Sequence, residues 1–247
     1  MTAWQRKSWL ALAAVVLGMA SCGEKRGSST STGSARPRPD DVVVQVGAFD
    51  FTDRELNEFV PYARKWDKTV APAFARRVSL SDYWLTKRVV ASLLPAKQLQ
   101  SIQERATRLA EAVAQAGGTV DALRHLGKQF GLEEGDTYIQ PINKFAIDIA
   151  RATFETPVGS ATGAIHSAAG STIIGVVDEI NRGGFPARKV ISVFFDYSKK
   201  KMTRTEIREA TNQLRKAPAW IHPYYRKQLA SLFDNLQSQP LRPLKTQ

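Results

Sequence analysis

Residues 153–178 read TFETPVGSATGAIHSAAGSTIIGVVD, and the fold turns on how this stretch is read. Between Val158 and Ile180 small and β-branched residues dominate and charges are few, the texture of strands rather than of amphipathic helix. Ala161–Ile165 and Ser171–Val177 read as two strands joined by Ser167-Ala168-Ala169-Gly170, and Arg188–Tyr197 reads as a third. Gly159 and Gly170 stand at turns, where a residue free to take positive φ is favoured.

The flanks have a different rhythm. Val42–Val46 is a short strand, Gly47-Ala48-Phe49-Asp50 a turn, and Thr52-Asp53-Arg54-Glu55 a capping box with Phe51 placed to staple Leu56. Leu56, Phe59 and Val60 form an apolar stripe that Pro61 interrupts. Ser79 and Asp82 open a helix carrying Tyr83, Trp84, Val89, Val90 and Leu94, which Pro95 ends. From Gln98, the residues Leu99, Ile102, Ala106, Leu109 and Val113 recur at helical spacing until Gly117-Gly118. Val120–Phe130 is the next helix, capped by Gly131, and Ile142–Ala150 is a short one. Beyond the strands, Thr203-Arg204-Thr205-Glu206 is a second capping box that starts a basic helix broken by Pro218, and Tyr224–Leu236 reads as the last helix. The expected class is α+β.

The chain has 247 residues, enough to bury a sizeable core, and one cysteine, which excludes an internal disulfide framework and a Cys-rich zinc site. Arg6 and Lys7 precede an apolar run from Trp9 to Ala20, too short to span a bilayer, and small residues lead to Cys22. This order is that of a secretory signal, and Met19-Ala20-Ser21-Cys22 resembles a bacterial lipobox. Residues 1–21 are then a signal peptide and Cys22 the acylated first residue of the mature chain. Gly23 follows it instead of the Asp of inner-membrane retention, so the expected location is the outer membrane, facing the periplasm. Acyl chains contribute about 0.8 kcal/mol per buried CH₂, enough together for stable anchoring. Residues 22–40 are rich in Gly, Ser, Thr and Pro and read as a flexible tether. Residues 41–152 follow as an N-terminal strand plus helical region.

The formal net charge is +12, and residues 182–247 hold 14 basic and 4 acidic side chains. Lys199, Lys200, Lys201, Arg204 and Arg208 cluster at a helix start, the end of a helix dipole that disfavours cations. Such a run in the basic C-terminal helices, 198–247, reads either as a solvated basic face or as a surface for anionic lipid headgroups, lipopolysaccharide phosphates or acidic clients. An exported chain does not meet nucleic acid. No catalytic, metal or cofactor signature appears. His125 reads as a surface residue, His166 as a partly exposed strand residue and His222 as a turn residue.

Residues 153–178 also resemble the end of a parvulin-type (PpiC) rotamase domain, which typically reads Ala-Phe-x-Leu-x-x-Gly-x-Val-Ser-x-Pro-Val-x-Thr-x-Phe-Gly-Tyr-His-Ile-Ile-x-Val-x-Asp. Phe154, Gly159, Ile165, Gly170, Ile173, Ile174, Val176 and Asp178 fall in register without a gap. Val44 to Phe59 is similar to the opening of the SurA/PrsA chaperones, with Gly47, Thr52, Glu55 and Leu56 in place. The resemblance implies a mostly helical chaperone-like part with a small parvulin-like sheet over 153–197. It also implies a degenerate site. Thr172 stands where the family's Tyr-His-Ile-Ile has one histidine. The other belongs to an Arg-His-Ile-Leu strand early in the domain. The similar string here, Ala187-Arg188-Lys189-Val190-Ile191, has Lys189 instead and follows the matched segment rather than preceding it. Rotation about a peptide bond meets a barrier of about 18–20 kcal/mol, and without the site little isomerase activity is expected.

The expected function is that of a lipid-anchored envelope chaperone or assembly factor. It would hold unfolded or extended polypeptides in a groove between helices and sheet, with no cofactor. The alternatives are a structural lipoprotein docking in an envelope complex and an active peptidyl-prolyl isomerase with an unusual site.

Overall fold

The β-branched run Val42–Val46 forms strand β1, and Gly47, at φ 52°, turns the chain straight back into β2 (Phe49–Thr52). The expected turn over 47–50 is thus a tight hairpin whose second half is already strand. The computed structural model describes residues 35–142, 146–167, 170–182, 184–197 and 204–244. The signal peptide, Cys22, most of the tether, Lys199–Lys201 and Thr203 lie outside them.

Thr52 caps α1 (Asp53–Asn57) as expected: its N–H donates to Glu55 Oε2 at 2.9 Å and its Oγ1 accepts from the Glu55 N–H at 3.3 Å. The chain then breaks and restarts as α2 (Val60–Trp66), with Pro61 in the first turn, where its missing N–H is no loss. Next comes a long rod: α3 (Pro72–Val78), a π-helical turn (Ser79–Trp84) and α4 (Leu85–Leu93). The helix expected to open at Ser79 therefore starts a full two turns earlier, at a proline suited to a first turn. α5 (Ala96–Gln115) and α6 (Val120–Gly127) follow, with Gly117, Gly118 and Gly131 in the left-handed region.

An unforeseen strand, β3 (Glu133–Ile139), comes before α7 (Ile147–Glu155). That helix lies later than the expected 142–150. β4 is only Ile165–His166, although Ala161 still bridges Gly175. β5 (Gly170–Arg182) and β6 (Phe185–Asp196) form a long hairpin, longer than the expected strands. α8 (Arg204–Lys216) is the basic helix. Beyond it, β7 (Pro218–Ile221) is strand where only a break was expected, and α9 (Pro223–Leu229) is short. The chain past α9 turns extended, as β8 (Asn235–Leu236), instead of staying helical.

The strands make two sheets, and the fold is α+β. One runs β2-β1-β7-β8, so the first and last parts of the domain share a sheet. Its core joins Val44, Phe51, Leu56, Leu80, Ile221, Tyr225 and Leu229. The other is antiparallel, ordered β3-β6-β5-β4. Leu109, Val113 and Leu123 from α5 and α6 cover its Ile173, Ile191 and Val193. The tail beyond β8 ties back as well. Gln45, fully buried on β1, accepts from the N–H groups of Leu241 at 2.8 Å and Arg242 at 3.2 Å.

Gly159 does adopt positive φ, at 87°, but Gly170 does not. Gly170 is required for space. A Cβ there would lie 2.5 Å from the Phe194 ring and 2.7 Å from the Phe195 carbonyl oxygen. Backbone cannot swing away as a side chain can. Gly170→Ala should therefore cost about 1–3 kcal/mol in urea unfolding. Gly163→Ala, with nothing within 4 Å of its Cβ, should stay within about 0.5 kcal/mol of wild type.

Candidate functional site

The two positions implied by the rotamase resemblance do not meet. Thr172 is 3% exposed, donates its hydroxyl to the Val193 carbonyl at 3.1 Å, and faces Phe194 on β6. Lys189 pairs with Asp178, five residues from Phe194, which is roughly 17 Å along a strand. Thr172 also lies on the face of β5 opposite to Ile173, whereas Lys189 falls on the Ile191 side of β6, the side that α5 and α6 cover. The β5–β6 register places Lys189 opposite Asp178 and leaves Phe194 opposite Thr172. Lys189 instead reaches Asp136 on β3 at 3.1 Å, and that carboxylate raises its pKa. Thr172 is a buried, hydrogen-bonded strand residue. Of the proposed cationic cluster, Arg208 is exposed on α8 and Arg204 begins that helix, while Lys199–Lys201 lie outside the described residues.

His166 is more than a partly exposed strand residue. Its Nδ1 lies 2.8 Å from Ser171 Oγ, which lies 3.0 Å from the Tyr197 hydroxyl. Burial pushes its imidazole towards the neutral form. His222 caps α9, its Nδ1 accepting from the Tyr224 N–H at 3.3 Å, and His125 is exposed on α6 as expected.

A second polar group gathers where α4 meets α7. Lys87 donates to the Tyr83 hydroxyl at 2.9 Å and stands over the Tyr83 and Trp84 rings, both at 5.0 Å. Desolvation lowers its pKa. Asp148, in the first turn of α7, has a buried Oδ2 with no hydrogen-bond partner. Burial holds its carboxyl above the usual range, against the opposing pull of backbone N–H groups and of Lys87.

A cleft of about 620 Å³ is walled by α3, the π-helical turn, α8 and α9. It lies between helices, not between helices and sheet as expected. Arg76 ties α3 to α1 and α9: it donates to Asn57 Oδ1 at 2.8 Å and Gln228 Oε1 at 2.9 Å, and lies 5.2 Å from the Tyr225 ring. Tyr225 in turn donates to Asp53 and accepts from Asn57. Phe74, 46% exposed, and Arg77 then face the cleft from α3, with Arg215 and Lys227 opposite. Ser81 and Asp82 form part of the lining, Ser81 donating to Asp82 Oδ1 at 2.6 Å. Arg215 comes only to 3.9 Å of the same Oδ1, while Asp82 Oδ2 and Arg215 Nε have no hydrogen-bond partner. The basic bias of the C-terminal region was read onto Lys199–Lys201, Arg204 and Arg208, and none of these is among the described residues of the cleft lining; Arg215 and Lys227, further along the same basic region, were missed. Phe74 and Arg77 were missed as well; their three-residue spacing behind Pro72, a residue suited to a helix first turn, is the signal that could have placed them on one face.

Among the described residues no group of His, Cys, Asp and Glu could hold a metal ion, and no helix is long and apolar enough to cross a membrane. Comparison with protein-family models, curated proteins and solved structures returned no match to the chain.

Asp148 has a measurable consequence. Its folded pKa is raised, so the acid's stabilising share is full below the unfolded value near 3.8 and is lost as pH rises through the folded value. Asp148→Asn keeps the shape and removes the charge. Its melting temperature should exceed wild type at neutral pH, and the gap should close below about pH 4.

Proposed function

We propose that the chain is a lipid-anchored polypeptide-binding factor of the bacterial envelope, a chaperone or assembly factor related to the SurA/PrsA group. It holds extended clients and does not isomerise prolyl bonds. The observation that carries this reading is the cleft at α3, α8 and α9. Its volume is within the ~300–1,000 Å³ of ligand pockets, and it sets an exposed aromatic ring beside cations. An exposed phenylalanine on a helix wall offers apolar surface to a chain that has not yet buried its own.

The state of the rotamase positions supports the second half of the reading. Thr172 is buried and its hydroxyl is taken by a strand carbonyl, while Lys189 is engaged on the sheet edge. Neither side chain is free to polarise a prolyl amide, and no histidine replaces them opposite Phe194. His166 has its Nδ1 turned to Ser171, which is fully buried.

Anchoring through Cys22, export to the periplasmic face of the outer membrane, and contact of the basic run 199–208 with anionic headgroups complete the proposal. They rest on the sequence.

Two experiments test it. The full-length lipoprotein in detergent should suppress aggregation of a urea-unfolded outer-membrane protein at near-stoichiometric ratio, and leave a proline-peptide isomerisation assay at the uncatalysed rate. Failure to protect any client would favour a docking lipoprotein, and a catalysed rate would restore the isomerase. Palmitate should label the wild-type chain in cells and not Cys22→Ala; label retained by the variant would remove the anchor.

A further inference from the structure

We propose that the cleft selects extended polypeptide segments in which an Asp or Glu side chain adjoins an apolar one. This rests on the polypeptide-binding reading and names its substrate class.

Three cations, Arg77, Arg215 and Lys227, line the cleft against a single acid, Asp82. Arg77 and Lys227 are exposed and make no ion pair among the described residues. Arg215 has only the loose 3.9 Å approach to Asp82, against 2.9 Å for the well-formed pair of Arg88 with Glu55. A guanidinium carries five N–H donors, so Arg215 is far from satisfied. The cleft therefore has unspent capacity for a carboxylate. Phe74 and Arg77 stand one turn apart on α3, which sets an apolar contact and a cation side by side.

Phe74 decides between a peptide and a free or lipid phosphate. Asp82 Oδ2 and Arg215 Nε are both buried, so the groups a ligand meets first are the exposed Phe74, Arg77 and Lys227. An inorganic phosphate has nothing to place on the Phe74 ring, and one exposed ring is too small a surface for the acyl chains of a lipid. An extended peptide supplies an apolar side chain for Phe74 next to a carboxylate for Arg77 and Lys227.

The test uses the full-length lipoprotein in detergent and a labelled ten-residue peptide alternating Glu with Leu and Phe, followed by anisotropy. A twin peptide carries Lys for every Glu. The acidic peptide should bind about fivefold to tenfold tighter than its twin, with a preference that shrinks in high salt. Arg77→Glu with Lys227→Glu, both at exposed positions, should abolish or invert that preference while circular dichroism stays unchanged. Phe74→Ser should weaken both peptides alike. Inorganic phosphate and phosphatidylglycerol micelles should compete poorly. Equal binding of the two peptides, or a preference that survives both charge reversals, overturns the inference; so does displacement by phosphate or phosphatidylglycerol at lower concentration than by unlabelled peptide. If the wild type still protects unfolded clients in those cases, only the selectivity falls. If it protects none and binds neither peptide, the polypeptide-binding reading falls with it.

Discussion

Glu55 ties the N-terminal hairpin to the long helical rod, and most of the architecture follows from that tie. Its carboxylate closes the capping box with Thr52 and receives Arg88 from α4 at 2.9 Å. Its carbonyl, which has only a long 3.5 Å bond from the Glu58 N–H at the end of α1, also accepts from Ser79 Oγ and Trp84 Nε1, both at 3.0 Å. Those two donors bracket the π-helical turn. The wide turn is what presents both to one oxygen, and it is also what turns Ser81 and Asp82 towards the cleft. A straight α-helix through 79–84 would shift the later residues around the axis and lose one of the two bonds.

The far side of the cleft is held by a matching arrangement. Tyr225 reaches from α9 to Asp53 and Asn57 on α1, and Arg76 bridges the same Asn57 to Gln228. Both walls are thus referred to one short helix, α1. The cleft is a consequence of two helical layers docked onto the same five residues, not of a space left unfilled.

The parts that could be read from the sequence are those with local causes. Val42–Val46, the Thr52 capping box, the stop at Gly117-Gly118 and the Gly131 cap are each settled within a few residues. The missed strands depend on distant partners. β3 reads Glu133-Glu134-Gly135-Asp136 at its start, with no apolar alternation, because it is an exposed edge that needs only β6. β7 exists because β1, more than 170 residues earlier, offers it an open side. Gly170 was right in identity and wrong in cause, since the crowding by Phe194 and Phe195 belongs to the partner strand. The candidate site was barely legible for the same reason. Charge bias marked the right region but the wrong residues, since Lys199–Lys201, Arg204 and Arg208 are not among the described residues of the lining, while Arg215 and Lys227 join Phe74 and Arg77 there only through tertiary packing.

The basic excess of residues 182–247 divides once the side chains have places. Arg188, 11% exposed in its side chain, donates to the Thr153 and Thr156 carbonyls at the end of α7 and lies over Phe154. Arg242 donates to the Gly47 and Phe49 carbonyls and to Asp50, holding the tail on the hairpin. Lys189 pairs across the sheet edge. Arg188 and Arg242 satisfy carbonyls that the backbone leaves open, and Lys189 is spent on a carboxylate of the neighbouring strand. Of the remaining cations in this region, Arg215 on α8 and Lys227 on α9 line the cleft opposite an exposed aromatic ring, while Arg208 and Lys216 are exposed on α8 away from its lining. A net charge counted along the chain cannot make that distinction. Burial and pairing can, and they separate cations that hold the fold from those that border an opening.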